Sequence, residues 1–581
     1  MPYNIRTMKV TKHLVLILGL LAAMSSLHAD SQAGTTRRLE KALAAPEGVI
    51  RGDDGAVGVW VRFDGRGLAG GDLAEALQNA EAELTPKAAE RRAKMGGPLV
   101  VEDDLPLNQD YVKAVQDLGG RLRRESRWLN AASYDVDPAT IAAIAALPFV
   151  AEVDVVARFT KVDVPTSAEE KVAMEEVLEA SRRDKSTKWP LDYGGSVPGA
   201  ELINLPRAHG MGLTGQGVTI GVIDTGYDLD WHESMQHMDI VATRDFVNGI
   251  EAVDDQPNWD DPNQSWHGTE CLSVIGAYQP GEIVGSAWEA SFILAKTEEI
   301  DREVRLEEDN WIAALEWMEG LGVDVVSSGL GYYQWYEFSD LDGGSAPITL
   351  AADLAAARGV VMVISAGNTH EQDGLLPLLA PADGRKVITV GSADTNGWPT
   401  QTSSRGPTFD GRIKPDVLGC GWGILVSSWW SQWIYTPVQG SSYATAQVAG
   451  VAALMLENNP RLTPLQIREA LRMTASHATH PDNANGWGVV DAYRAVNYYG
   501  PTIEHDPILA TDDYVSPLVI EAEITSPTVL DEGGVTVTWR ASFQAWNRVS
   551  MTRTTGGTFR AELPAPYAGA IIQYYIEAFD S

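Results

Sequence analysis

The chain has 581 residues, 44% of them hydrophobic, with 2 Cys and with 44 Lys plus Arg against 79 Asp plus Glu, a formal charge of -35 at pH 7. At roughly 150 residues per domain this length points to three or four domains, and the apolar content gives each a core, which excludes disorder as the dominant state. So large an acidic excess excludes a surface that grips phosphate backbones, so no nucleic-acid partner is expected, and so few cysteines exclude a disulfide-dense scaffold.

The amino terminus carries Lys9, Lys12 and His13, then an apolar run from Leu14 to Met24, then Leu27-His28-Ala29. A charged start, an apolar stretch of about 7 to 15 residues and a small residue before the cut describe a secretory signal over 1–29, with Met8 an equally good start. The run falls short of the roughly 20 residues of a membrane span, and no Cys follows it to take a lipid. An extracellular or periplasmic protein without a membrane span is therefore expected.

Over 30–157 the pattern predicts strands at Val57 to Phe63, Arg121 to Trp128, Ala131 to Val136 and Val150 to Val156, and helices at Asn108 to Leu118 and Pro138 to Leu147. That order is βαββαβ, with a charged helical insertion near Asp72 to Lys94. A charged linker is expected over 158–200. From 201 to 500, short continuous apolar runs alternate with helical patterns: Gly217 to Asp224, Ser291 to Lys296, Val323 to Ser328, Gly359 to Ser365 and Val387 to Val390. In the helix predicted at Asp309 to Glu319, Trp311, Leu315 and Met318 share one face. The fold class is thus α/β, a doubly wound, mainly parallel sheet covered on both sides, with reactive groups expected at the carboxyl ends of its strands. After Pro501 the period becomes two, in strands at Leu518 to Thr525, Val535 to Ala541, Val549 to Thr554, Thr558 to Glu562 and Ile571 to Phe579. This reads as an all-β sandwich over 501–581, short of the roughly seven strands usual for such a domain, and so as a fragment of one.

Four segments carry chemistry. Asp224-Thr225-Gly226 ends the first apolar strand of the central region, Trp266-His267-Gly268-Thr269 opens a helix, Ser365-Ala366-Gly367-Asn368 ends another strand, and Gly440-Ser441-Ser442-Tyr443-Ala444 opens a second helix. A serine hydroxyl becomes a useful nucleophile when an imidazole takes its proton, and the imidazole needs a buried carboxylate to fix its tautomer. A tetrahedral intermediate then needs donors for its oxyanion, which an Asn amide and a helix-opening N–H supply.

These segments, with Ser403-Ser404-Arg405-Gly406-Pro407 and Lys414-Pro415-Asp416, occur in an order that closely resembles the subtilisin-like serine protease family (peptidase S8 type) over about Ala200 to Gly500. The resemblance implies Ser442 as nucleophile, His267 as general base, Asp224 as its orienter and Asn368 as oxyanion donor. It further implies that Gly329, Leu330, Gly331, Ala366 and Gly367 bind substrate. The βαββαβ region resembles the family's ferredoxin-like inhibitory propeptide, so a secreted zymogen that hydrolyses polypeptides through an acyl-enzyme is expected. No cofactor is required by the resemblance; a structural calcium ion is allowed by it, with no ligand residue named. The chain departs from the family where Ser441, Tyr443, Ala446 and Gln447 stand for Thr, Met, Pro and His. It departs again at Gly329-Leu330-Gly331 and Gly419-Cys420-Gly421, where Ser-Leu-Gly and Ala-Pro-Gly are usual.

Rival readings remain beside this one. An α/β-hydrolase would need Gly-x-Ser-x-Gly and the order Ser, Asp, His, which the chain lacks. A catalytically silent scaffold with a binding or adhesion role, or a sandwich that anchors the protease to a surface or polymer, is the alternative function. Cys271, four residues from His267, reads as a buried filler, with a disulfide to Cys420 left open. The aromatics Trp422, Trp429, Trp430, Trp433 and Tyr435 read as packing over a hairpin, with the lining of a substrate cleft as the other option. Acidic runs at Asp254-Asp255, Asp260-Asp261 and Glu298 to Asp309 read as solvated faces, because no EF-hand loop spacing is present.

Overall fold

In a computed structural model the described residues are 55–579, without 157–173, 175–188, 190, 230, 231, 258, 262, 301–305, 334, 335, 371–376, 527–529, 543 and 555. The expected signal and almost all of the linker up to 188 lie outside them.

The first unit is an antiparallel sheet of β1 (Val57–Phe63), β2 (Arg121–Ser126), β3 (Ala131–Val136) and β4 (Val150–Val156), in the order β2-β3-β1-β4. Side chains alternate along β1 as a strand's pleat requires. Val57, Val59, Val61 and Phe63 face the helices Gln109–Asp117 and Ile141–Ala145, through Val112, Val115, Ile141 and Ile144. Trp60 faces the other way, and with Trp128, Leu129 and Ala131 it joins the core beneath the central sheet. The charged insertion forms two helices, Gly70–Ala82 and Pro86–Ala93, the second capped by Thr85 with Pro86 in its first turn, where the missing N–H costs nothing.

The central unit is a 7-stranded sheet. It uses β5 (Thr219–Asp224), β6 (Asp239–Asp245), β9 (Ser291–Lys296), β10 (Val325–Ser328), β11 (Val361–Ser365), β12 (Ile388–Ala393) and β13 (Val417–Cys420). A short pair, β7 (Tyr278–Gln279) and β8 (Ile283–Val284), stands apart. The order is β13-β12-β11-β10-β5-β9-β6 and every pairing within it is parallel. Val222, Phe292 and Leu294 point to the layer that holds the helices Trp266–Gly276, Ser441–Asn458 and Pro464–Thr474. Ile223, Ile293 and Ala295 point to the layer of Leu306–Leu321 and Pro347–Ala357. The chain leaves β5 for one side of the sheet and returns past it to β10, so the connections diverge at the tip of β5, where crevices form in open α/β sheets.

A hairpin of β14 (Trp422–Ser427) and β15 (Tyr435–Gln439) leads into the helix Ser441–Asn458. Tyr435 is buried there, whereas Trp430 and Trp433 at the tip are exposed. The last unit pairs β16 (Thr502–Glu504), β17 (Leu518–Thr525), β21 (Thr558–Leu563) and β20 (Thr552–Arg553) in one sheet, and β19 (Asn547–Ser550), β18 (Thr536–Ala541) and β22 (Ile572–Glu577) in a second. Ile520, Trp539 and Phe559 are part of the core between them. The run Val549 to Thr554, read as a single strand, is split between the two sheets, and β16 was not visible in the pattern.

The acidic runs correct the expectation of solvated faces. Asp254 and Asp261 are exposed, but Glu298, Glu307, Glu308 and Asp309 are buried. Tyr332 and Tyr336 donate hydroxyls to Glu298 and Glu308, Arg123 pairs with Asp309 at 2.9 Å, and Lys296 bridges Asp245 and Asp260. Glu298, Glu308 and Asp309 each have a partner from a distant segment, which is why local sequence could not reveal their burial, whereas Glu307 accepts from Glu299 N–H at 3.0 Å within the run.

Candidate active site

Asp224 is the last residue of β5 and is fully buried. Its Oδ1 accepts from Thr225 N–H at 2.7 Å and lies 2.7 Å from His267 Nδ1, so the imidazole is held through Nδ1. His267 sits in the first turn of Trp266–Gly276. Two side chains fix the approach to that helix. Asp255 accepts from Ser265 N–H at 2.7 Å and Asn263 N–H at 3.0 Å. Gln264 donates to Thr225 O at 2.6 Å and to Glu298 O at 2.7 Å.

Ser442 is the second residue of Ser441–Asn458, whose first N–H groups have no intrahelical partner. Gly440 before it has φ 151°, outside the range of L side chains. Ser442 Oγ donates to Gly329 O at 3.1 Å. A Cβ placed on Gly329 would lie 2.7 Å from Ser442 Cβ and 3.1 Å from His267 Cε1. Serine and imidazole therefore converge on this one glycine, and the glycine that departs from the family pattern stands where a side chain has no room.

Asn368 follows β11, and its Oδ1 accepts from Ser441 N–H at 3.0 Å and Ser441 Oγ at 2.9 Å. Two donors on one oxygen settle the amide orientation and turn Nδ2 toward Gly440, whose added Cβ would lie 3.7 Å away. Gly331 and Gly367 flank Leu379, with added Cβ atoms 2.8 and 2.5 Å from its side chain. Gly367 has φ 105° and Tyr332 pairs with Ala380 at 2.8 and 2.9 Å, so the segments after β10 and β11 are tied through residues 379–380. Leu330 and Ala366 are buried beside them.

Two further side chains lie at the site: Glu270, which was not singled out from sequence, and Tyr443, which stood out there only as a departure from the family pattern. Glu270 is one helical turn after His267, and Tyr443, the residue after Ser442, donates its hydroxyl to Glu270 Oε2 at 2.7 Å. Burial pushes the Glu270 carboxyl up to about 7, with the Tyr443 hydrogen bond pulling the other way. The departure at Gln447 also finds a partner: its amide accepts from Cys420 N–H at 3.0 Å and donates to Gly199 O at 2.9 Å.

Both cysteines are free and buried, which removes the disulfide left open by spacing. Burial raises the Cys271 thiol well above its ordinary value, with the Asp224 and Glu270 carboxylates adding to the shift, so it behaves as an inert filler near pH 7. Asp224, His267 and Cys271 form the one set of three such side chains, among the described residues, whose ligand atoms lie within 4.8 Å of one another. That set is a hydrogen-bonded acid and imidazole over a protonated thiol, not a shell of oxygens. Among the described residues, Asp260, Glu298, Glu308 and Asp309 are directed at Lys, Tyr and Arg donors, an arrangement of those four that does not fit a calcium site. No helix among the described residues is long and apolar enough to cross a membrane.

A sequence model of the subtilase family, Peptidase_S8, matches residues 215–488, and one of a peptidase S8 propeptide domain from Bacteroidota matches 59–173. The serine protease AprX of Bacillus subtilis (strain 168) is 30% identical over 320 residues, which cover 50% of this chain and 68% of that protein. Subtilisin BL of Lederbergia lenta is 30% identical over 302 residues, 52% of this chain and 98% of its own length. Among solved structures, a protease of Pseudoalteromonas arctica PAMC 21717 aligns with TM-score 0.42 and 24% identity, covering 54% of this chain and 97% of its own.

Proposed function

The chain belongs to the subtilase family of serine proteases, and from that premise we propose that it is an exported endopeptidase, made as a zymogen, that cuts polypeptides through an acyl-enzyme on Ser442. The hydroxyl of Ser442 turns from Gly329 O to His267 and gives its proton to Nε2 as Oγ attacks the scissile carbonyl. Asp224, bonded to Nδ1, fixes the tautomer and stabilises the imidazolium. The oxyanion meets Asn368 Nδ2 and the N–H of Ser442, both aimed before the reaction begins. Collapse breaks the C–N bond, His267 protonates the departing amine, and the acyl group remains on Oγ. Water then enters, gives its proton to His267 and releases the carboxylate, restoring the serine.

An extended substrate lies along Gly329-Leu330-Gly331 and against Ala366-Gly367, with Leu379 between the two glycines as a wall of the side-chain pocket. The unit over 55–156 is the inhibitory propeptide, which the matching propeptide family and its buried seat beneath the sheet support. The observation that carries the reading is the convergence of Ser442 and the Asp224-bound His267 on Gly329, with Asn368 locked beside them.

The test is to treat the purified, processed protein with a fluorophosphonate and map the adduct. A single adduct on Ser442, absent in Ser442→Ala, is expected. A processed protein that takes no label sinks the protease reading in favour of a silent binding scaffold.

A further inference from the structure

Ser442 and His267 stand on different helices, and nothing in the triad fixes the spacing of those helices. The two meet below the site through side chains adjacent to the reacting ones. Tyr443 follows Ser442 directly, Glu270 lies one turn below His267, and both are buried, at 4% and 6% exposure. Their hydrogen bond of 2.7 Å crosses between the helices. The Tyr443 ring is 5.7 Å from the His267 ring, centroid to centroid. The same ring lies beside Gly440 at the start of its own helix, where an added Cβ would be 3.4 Å from it.

We propose that the Glu270 and Tyr443 hydrogen bond is a tie that sets the distance between nucleophile and base, making both positioning residues for the reaction proposed above, on which this inference rests. A buried Tyr hydroxyl and a buried carboxyl each cost free energy unless they find a partner, and here each is the partner of the other. The ionisable groups facing Glu270 are His267, Asp224 and Cys271 on its own side and Tyr443 from the opposite helix. The bond from Tyr443 reaches that carboxyl at 2.7 Å from the opposite helix. Near-attack geometry is sensitive at the scale of about 1 Å, enough for a displaced helix to lower the rate about 100-fold.

The experiment compares the parent with Tyr443→Phe, Glu270→Met, Glu270→Gln and the double variant Glu270→Met with Tyr443→Phe. Each is assayed for kcat and KM on a peptide substrate, fluorophosphonate labelling at Ser442 and thermal unfolding. The tie predicts about a tenfold or greater fall in kcat for Tyr443→Phe and Glu270→Met, with KM within about twofold. The double variant is no worse than either single one, because residues acting through one contact are not additive. Glu270→Gln, which keeps an oxygen for Tyr443 to bond, recovers most of the rate.

A residue with only a structural role would lower the melting temperature while leaving kcat of the folded enzyme within twofold, and that result overturns the proposal. So do effects that multiply in the double variant, or a Glu270→Gln as impaired as Glu270→Met. A variant that does not fold is read through Glu270→Gln, the mildest change. A parent that takes no label overturns the functional reading and the tie with it. A parent that labels while every variant matches it overturns the tie alone.

Discussion

Asn368, proposed as the oxyanion donor, shows how a side chain is aimed by its neighbours. Ser441 supplies both donors to its Oδ1, one from the backbone and one from the side chain. Replacing Asn368 with Ala should lower kcat by about 100- to 1,000-fold, some 2.7–4 kcal/mol, with KM little changed. Ser441→Ala removes one of the two donors and should cost less, a ranking that steady-state kinetics on one peptide decides. Leu379→Ala should widen the pocket between Gly331 and Gly367, shifting cleavage of a peptide library toward larger side chains before the scissile bond.

Glu270 adds a stability signature. Its carboxyl is raised to about 7 in the fold, against about 4.3 for a free Glu. The sign follows from linkage: the folded state binds the proton more tightly, so this stabilisation is complete below about pH 4 and is lost as pH rises through 7. In Glu270→Gln the melting temperature should therefore fall less steeply between pH 4.5 and 7 than in the parent; a steeper fall would contradict the assignment. Asp224, His267 and Ser442, which the structure brings together, were legible in sequence because each lies in a short local motif. Glu270 was not, and Tyr443 stood out only as a departure from the family pattern, because the two partners are 173 residues apart.

At the scale of elements, strands with continuous apolar runs were readable, β5, β9, β10 and β11 among them. The missed strand β6 is an edge strand carrying Asp239, Arg244 and Asp245, and β13 has only four residues with a glycine among them. The helix Pro86–Ala93 lies in the region read from sequence as a charged helical insertion, and its Arg91 and Arg92 are buried against Glu319 of Leu306–Leu321. Burial raises the Glu319 carboxyl, but Arg92, Arg91 and Arg127 outweigh it and hold it below the usual range. Arg92 also pairs with Asp104 at 3.0 Å, and Asp104 with Arg358 at 2.7 Å. Removing one partner of a buried pair costs about 3–5 kcal/mol, because the other charge is stranded. In an unprocessed Ser442→Ala chain, Glu319→Ala should therefore speed hydrogen exchange in β1 and β3 while β5 and β11 stay protected. Equal exchange in both chains would mean that apolar contacts at Trp60 and Trp128 hold the unit alone.

For the whole molecule, the charge of -35 now divides into two populations. Buried acids such as Glu319, Asp309 and Asp245 are matched by Arg and Lys within the fold, whereas the exposed excess is left to repel itself. Salt screens exposed charges beyond about 8 Å at physiological strength and reaches buried pairs far less. Raising NaCl from a few millimolar to about 0.15 M should lift the melting temperature; no change would mean that the exposed acids are already compensated. Composition could announce the excess but not its division, since Glu298, Glu308 and Asp309 are paired with tyrosines and an arginine from remote segments.

The three units are linked by the order of events that the zymogen reading requires: cleavage between the first and second must wait for the second to fold. The central claim is that Ser442 carries the acyl group. Mixing the processed enzyme with an activated ester substrate, quenching in acid within milliseconds and mapping peptides by mass spectrometry tests it directly. A stoichiometric acyl adduct on Ser442 that accumulates with a burst of leaving group and disappears on turnover is expected. Ester hydrolysis with no burst and no adduct on Ser442, or an adduct that persists in Ser442→Ala, would contradict it.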